Sequence, residues 1–128
     1  MKIELGEDFY TTEYEKFDAV YTNGRYLVAV RRLSFVAAVS DNISETMTPH
    51  EFGEYWVNRF GIFAVVKTDE ITYCEYYDSN GADEYYYLSA FYRTAYAYFV
   101  ILFVAPIAIE YPASDDFRSY AKRVTFEI

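Results

Sequence analysis

The chain has one histidine, one cysteine, 20 acidic residues and 16 tyrosines, so any chemistry must come from carboxylates, phenols or those two single side chains. His50-Glu51-Phe52-Gly53-Glu54 begins like the helix of a zinc protease. That site needs a second histidine four residues on, and Glu54 stands there instead. One histidine and one glutamate give two ligands at most, so His50 reads as an exposed first-turn residue. Cys74 could act as a nucleophile only with a base, and no signature links it to His50. It falls in the strand read over Ile71–Tyr77 and is expected to be structural.

The carboxylates fare no better as a catalytic set. Asp69-Glu70, Asp83-Glu84 and Asp115-Asp116 are adjacent pairs, and adjacent side chains on a strand or helix diverge. A glycosidase-type site would need two carboxylates from different elements facing one cleft. Asp78-Ser79-Asn80-Gly81-Ala82-Asp83-Glu84 offers oxygens on a turn, as calcium requires, but lacks the loop-ending glutamate of an EF-hand. A turn followed by an acidic helix start accounts for the same residues. The five glycines are scattered and form no phosphate loop. No catalysis, cofactor or metal is expected. The only basic pairs are Arg31-Arg32 and Lys122-Arg123 in a chain of pI near 4.5, so direct nucleic-acid binding is not expected either.

What stands out is where the charge lies. Residues 1–18 carry Glu4, Glu7, Asp8, Glu13, Glu15 and Asp18 against Lys2 and Lys16. Residues 67–84 carry Asp69, Glu70, Glu75, Asp78, Asp83 and Glu84 against Lys67. These two stretches hold the whole formal charge of −9, and the other 92 residues balance. Segregated charge produces a directional field that steers a basic partner.

The elements that would carry this charge are legible in outline. The length of 128 residues and a hydrophobic share of 53% suit one domain with a full core. Asn23-Gly24 between FDAVYT and RYLVAV reads as a type I′ hairpin, pairing Tyr21 with Tyr26 and Val20 with Leu27. The second strand reads on to Val39, with Arg31-Arg32 as a bulge or an edge. Thr48-Pro49-His50-Glu51 is a capping box opening a helix over 49–60, with Phe52, Tyr55, Trp56 and Phe60 on one face and Gly61 as the stop. Ile62–Lys67 and Ile71–Tyr77 read as strands, followed by a turn at 78–81 and a second helix from Ala82 with Leu88, Phe91, Tyr92 and Ala95 as its core face.

Residues 96–104 read as a central strand, with a continuation of that helix as the alternative. The uncharged run 94–109 is too short to span a membrane and contains Pro106. Tyr111-Pro112 reads as a loop, Ser114 as the cap of a short helix, and Val124–Ile128 as a last strand. The fold class expected is α+β: one domain, residues 1–128, with a mostly antiparallel twisted sheet of about five strands and two or three helices on one face.

The function expected is that of a small acidic protein-binding domain. Its profile resembles compact inhibitors of viruses and mobile elements, such as anti-CRISPR and anti-restriction proteins, that mimic nucleic acid to block a basic nucleic-acid-binding protein. The resemblance is one of profile, not of family. Such a domain would meet its partner, a nuclease or nucleoprotein, through Asp69, Glu70, Glu75, Asp78, Asp83 and Glu84, with Tyr76 and Tyr85 beside them, and through Glu7, Asp8, Glu13 and Glu15. Alternatives are a self-associating virion or assembly subunit, including a homodimer, and a ligand binder or enzyme without a recognisable motif. The charged N-terminus lacks the apolar core of a signal peptide, and the single cysteine forms no internal disulfide, so a cytoplasmic location, in a host cell if the protein is viral, is expected, without membrane contact.

Overall fold

In the computed structural model, residues 1–126 are described. Seven strands form one antiparallel sheet: β1 (Tyr10–Thr12), β2 (Ala19–Thr22), β3 (Leu27–Ser34), β4 (Lys67–Thr68), β5 (Thr72–Asn80), β6 (Asp83–Arg93) and β7 (Ala97–Pro106). Their spatial order is β1-β2-β3-β7-β6-β5-β4, so the last strand in sequence lies at the centre. Helices α1 (Phe35–Ser40) and α2 (Pro49–Arg59) lie between β3 and β4, and α3 (Glu110–Lys122) follows a 3-10 turn at Ile107–Ile109. The α+β class is as expected. The strand count exceeds the five expected, because two very short edge strands and an unanticipated β6 join the sheet.

The helices also pack on both faces, not on one. Alternate residues of β7 point to opposite sides, so Ile101 and Phe103 join α3's Ala113, Phe117 and Ala121, while Tyr98 and Val100 join Phe52 and Val57 of α2. A strand buried on both faces is apolar throughout, and β7 has the uncharged composition this requires.

That double burial explains the main correction. Residues 83–93 form a strand, with Tyr86, Leu88 and Ala90 in the α3 core and Phe91 in the α2 core. Since both faces are apolar, the period of two is masked, and Leu88, Phe91 and Tyr92 imitate a helical face. The hairpin turns at Gly81-Ala82 with Asn80 opposite Asp83, and Gly81 takes φ +69 as its first turn position demands. Residues 97–106 are the central strand that the composition favours.

Other departures have local causes. The first hairpin pairs Thr22 with Leu27 and Tyr21 with Val28, so its loop has four residues. Asn23 Oδ1 accepts the Arg25 and Tyr26 amides at 2.9 and 2.7 Å. Tyr26 stays in the loop because its ring packs edge-on against Phe117, 4.9 Å between centroids, and its hydroxyl donates to Asp116. The shift is two residues, so every side chain keeps its expected face.

β3 ends at Ser34, where β7 begins opposite at Ala97; beyond that point it has no partner on that side. Ser34 Oγ accepts the Ala37 amide and opens α1 instead. Arg31 and Arg32 are neither bulge nor edge but pair regularly with Val100 and Phe99.

Residues 62–66 leave the sheet edge so that Val66, with Ile62 and Ala64 beside it, packs into the α2 core; only Lys67–Thr68 pair with β5. Tyr111 and Pro112 lie in the first turn of α3, where proline's missing N–H has no helical acceptor to lose, and Ser114 lies inside that helix. Thr125 makes a lone bridge to Lys2, and residues 127–128 of the expected last strand lie outside the described residues.

α2 forms as its sequence dictates. The Thr48 hydroxyl accepts the Glu51 amide and Glu51 accepts the Thr48 amide. Phe52 is fully buried and stacks on Tyr98, 4.4 Å and 6° between rings. Gly53 lets the helix approach β6: a Cβ there would sit 2.8 Å from Phe91 Cδ2 and 3.1 Å from Val66 Cγ1. Gly53→Ala is therefore expected to destabilise by about 1–2 kcal/mol net, because overpacking outweighs the gain in helix propensity. A urea titration of the variant measures it; a rise in midpoint would refute this account of the contact.

Candidate functional site: the open half of the sheet

The α1–α2 layer is short. α2 has 11 residues and spans about 16 Å, whereas the ten residues of β7 span about 33 Å. The helices cover Tyr98 and Val100 of β7, Phe91 of β6 and Cys74 of β5. Beyond them the same face lies open: Leu27 and Ala29 of β3, Leu102 and Val104 of β7, and Tyr85 and Tyr87 of β6 floor and wall a groove of about 610 Å³. Tyr14 and Phe17, from the loop between β1 and β2, border it on one side and Asn80 of the β5–β6 hairpin on the other. Two interior strands, β3 and β7, separate β2 from β6, so those flanking strands lie about 14 Å apart.

Tyrosine dominates the β6 side. Tyr76 and Tyr87 are register partners, and their rings stack 5.0 Å apart at 2°. Burial pushes the Tyr76 phenol up to about 12, and its hydroxyl lies 3.3 Å from Ser89 Oγ. Tyr87 is also raised, chiefly by burial. Both side chains are rigid, protonated and amphipathic.

The acids expected to bind a partner do not share a face. In β5, even-numbered residues point to the groove side and odd-numbered ones to α3. By that alternation Asp78 falls on the side of Tyr76 and Asp83 on that of Tyr85 and Tyr87, yet neither lines the groove: Asp78 lines a pocket with Tyr77 and Glu110, and Asp83 one with Pro106 and Ile107. Glu75 points the other way. It accepts from Arg118 Nη2 at 2.8 Å and from the Tyr86 hydroxyl, while the Arg118 guanidinium lies 5.4 Å from the Tyr73 ring centre. Burial works against the Arg118 charge, and the Glu75 carboxylate outweighs it, raising the guanidinium pKa. Glu75 is thus committed to holding α3 on the sheet.

Asp69 Oδ1 accepts the Ile71 amide in the β4–β5 turn, and Glu70 lies 3.4 Å from Lys122 at an exposed position. Glu84 lines a separate shallow pocket at the hairpin tip with Tyr77 and Glu110, whose side chains hydrogen-bond. Of the first stretch, Glu13 and Glu15 are exposed and line a separate pocket with Tyr14, Phe17 and Asp18. Asp8 accepts from Asn23 Nδ2 at 3.2 Å, beside the β2–β3 turn, and Glu7 is exposed.

The groove floor was missed in the sequence. Leu27 and Val104 look like ordinary core residues, and only the comparison of helix and strand lengths reveals that they lie beyond α2, while Leu102 packs at the edge of the α2 core. Cys74 is fully buried, and burial pushes its thiol up to about 12, so no thiolate is present at neutral pH. His50 Nδ1 lies 2.8 Å from Thr68 Oγ1, and its Nε2 lies 3.4 Å from Glu54. Among the described residues no three His, Cys, Asp or Glu side chains converge as a metal site. No helix is long and apolar enough to cross a membrane. Neither a protein-family model nor a curated protein matches the chain.

Two outcomes follow. Glu75→Ala leaves Arg118 unpaired beside the α3 core and is expected to cost about 1–3 kcal/mol, whereas Asp78→Asn and Asp83→Asn should stay within about 0.5 kcal/mol. Urea midpoints of the three variants decide it. The second outcome concerns alkaline pH. Burial holds Tyr26 and Tyr76 at about 12 against an ordinary 10, and Tyr86 and Tyr92 shift the same way. The unfolded chain gives up these protons first, so stability is full below pH 10 and falls between about 10 and 12. Melting temperatures across that range would contradict the burial if they stayed flat.

Proposed function

We propose that this chain is a small acidic protein-binding domain that takes a basic partner protein against the open half of its sheet. One observation carries the reading: Tyr14 from one acidic stretch and Asn80 from the other line a single groove, and the exposed Glu13, Glu15 and Asp83 stand within three residues of them in sequence. Carboxylates there steer a cationic surface, while tyrosines and the apolar floor supply contact area. Such a surface occupies the basic cleft of a nucleic-acid-binding protein as an inhibitor mimicking nucleic acid would, with carboxylates in place of phosphates.

The test captures partners at low salt and identifies them. Glu13→Gln, Glu15→Gln, Asp78→Asn and Asp83→Asn together are expected to lower affinity at least tenfold. An equal charge change at Asp41, Glu45, Glu54 and Asp115 should have little effect, because charges beyond about 10 Å are screened. Duplex DNA should compete for the same partner, and binding should weaken steeply with added salt. Undiminished binding by the groove variant would overturn the reading.

A second reading, self-association as an assembly subunit, is favoured by a different surface. Phe60, Phe63 and Val65 are 50%, 101% and 75% exposed in one short segment after α2. Light scattering at micromolar concentration separates the two, since a clean monomer removes the second.

A further inference from the structure

We propose that Thr68, His50 and Glu54 form an esterase-type site, with Thr68 as nucleophile, His50 as its general base and Glu54 positioning the imidazole. The site lies at the β4 edge of the sheet and shares no lining residue with the groove.

The geometry is that of a nucleophile, its base and the group that orients the base. His50 Nδ1 lies 2.8 Å from Thr68 Oγ1, and His50 Nε2 lies 3.4 Å from Glu54 Oε1. A carboxylate beside Nε2 favours the proton there, which leaves the Nδ1 lone pair for the Thr68 hydroxyl. With its own proton turned to His50, Thr68 accepts from the Thr72 hydroxyl, 3.2 Å away. Regular structure fixes each member. His50 stands in the capped first turn of α2 with Glu54 one turn on, and Thr68 is the register partner of Thr72. Because 18 residues separate His50 from Thr68, only the fold reveals the pairing.

A place for a substrate adjoins the hydroxyl. Thr68 and Thr72 line a pocket of about 410 Å³, with Phe91, Val124 and Phe126 as apolar walls. Glu70 and Lys122 line it too, their side chains 3.4 Å apart. The Glu70 amide, in the turn after Thr68, has no backbone acceptor among the described residues. That amide and the Lys122 ammonium are the donors at hand for an oxyanion. The substrate class that fits is a small carboxylic ester with an apolar acyl group. Thr68 Oγ1 attacks the ester carbonyl while its proton passes to His50 Nδ1. The bond to the leaving oxygen breaks, and the alcohol departs with that proton, leaving acyl-threonine. Water then gives a proton to His50 and attacks the acyl carbon. The bond to Thr68 Oγ1 breaks, Thr68 takes the proton back and the carboxylic acid leaves.

The experiment gives the full chain p-nitrophenyl butyrate and, separately, a dialkyl fluorophosphate, which phosphorylates an activated hydroxyl and releases fluoride. Nitrophenolate release is expected to exceed that of His50→Gln about a hundredfold, the scale of general-base catalysis. Peptide mapping should place one phosphoryl group on Thr68. Thr68→Val should lose both reactions and Thr68→Ser should keep both. Thr68 is exposed and His50 half-buried, so unchanged melting temperatures are expected to show that the variants fold. His50 is the only histidine, so nitrogen NMR reads its tautomer directly: Nε2–H in the unaltered chain and a mixture in Glu54→Gln.

Equal nitrophenolate release by the unaltered chain and His50→Gln overturns the proposal. So does a phosphoryl group that is absent, or that maps to a tyrosine or to His50 itself. An unchanged tautomer in Glu54→Gln overturns the role of Glu54. None of these outcomes bears on the binding surface, which partner capture decides separately.

Discussion

A strand paired on both sides and covered on both faces has nowhere to place a charge, and β7 has none. Its odd-numbered residues build the core under α3, and Tyr98 and Val100 the core under α2, while Leu102 and Val104 face the groove. β3 and β6 take their register from it over eight and nine residue pairs. The long excursion between β3 and β7 returns to the sheet because the hydrogen bonds of β7 must be satisfied on both edges. Tyr98 ties that excursion down: its buried hydroxyl donates to the Ser44 carbonyl at 2.6 Å and accepts the Met47 amide at 3.0 Å.

The two faces are finished differently, and the proposed function lives in that difference. α3, with 13 residues, lies against the β6–β7 region, and Glu75–Arg118 helps to hold it there. On the opposite face the helical layer stops halfway. Apolar residues of β3 and β7 then meet solvent beside stacked tyrosines. An open apolar floor walled by tyrosines is a surface of the kind interfaces use.

Much of the fold was legible locally. The capping box of α2, the Gly61 stop, the hairpin at Asn23-Gly24 and the strand character of residues 97–104 all depend on nearest neighbours. What failed depended on partners distant in sequence. β6 imitated a helix because both its faces are buried, and β3 stopped short of Val39 because β7 begins at Ala97. The candidate site was half legible. Charge segregation pointed to both acidic stretches, but alternation along β5 turned Glu75 inward, and Asp78 lines a pocket with Tyr77 and Glu110.

The sequence by itself determined an α+β chain with an uncharged central strand, a capped amphipathic helix, two acidic stretches and an excess of tyrosine, because composition, caps and turns act over a few residues. Only the tertiary structure decided which carboxylates are committed to the fold and which are free. It also decided that Tyr14 and Asn80, one from each acidic stretch, line one groove, because that depends on strand order and on how far α2 reaches. Strand order is a property of the whole chain, set when β7 inserts between β3 and β6.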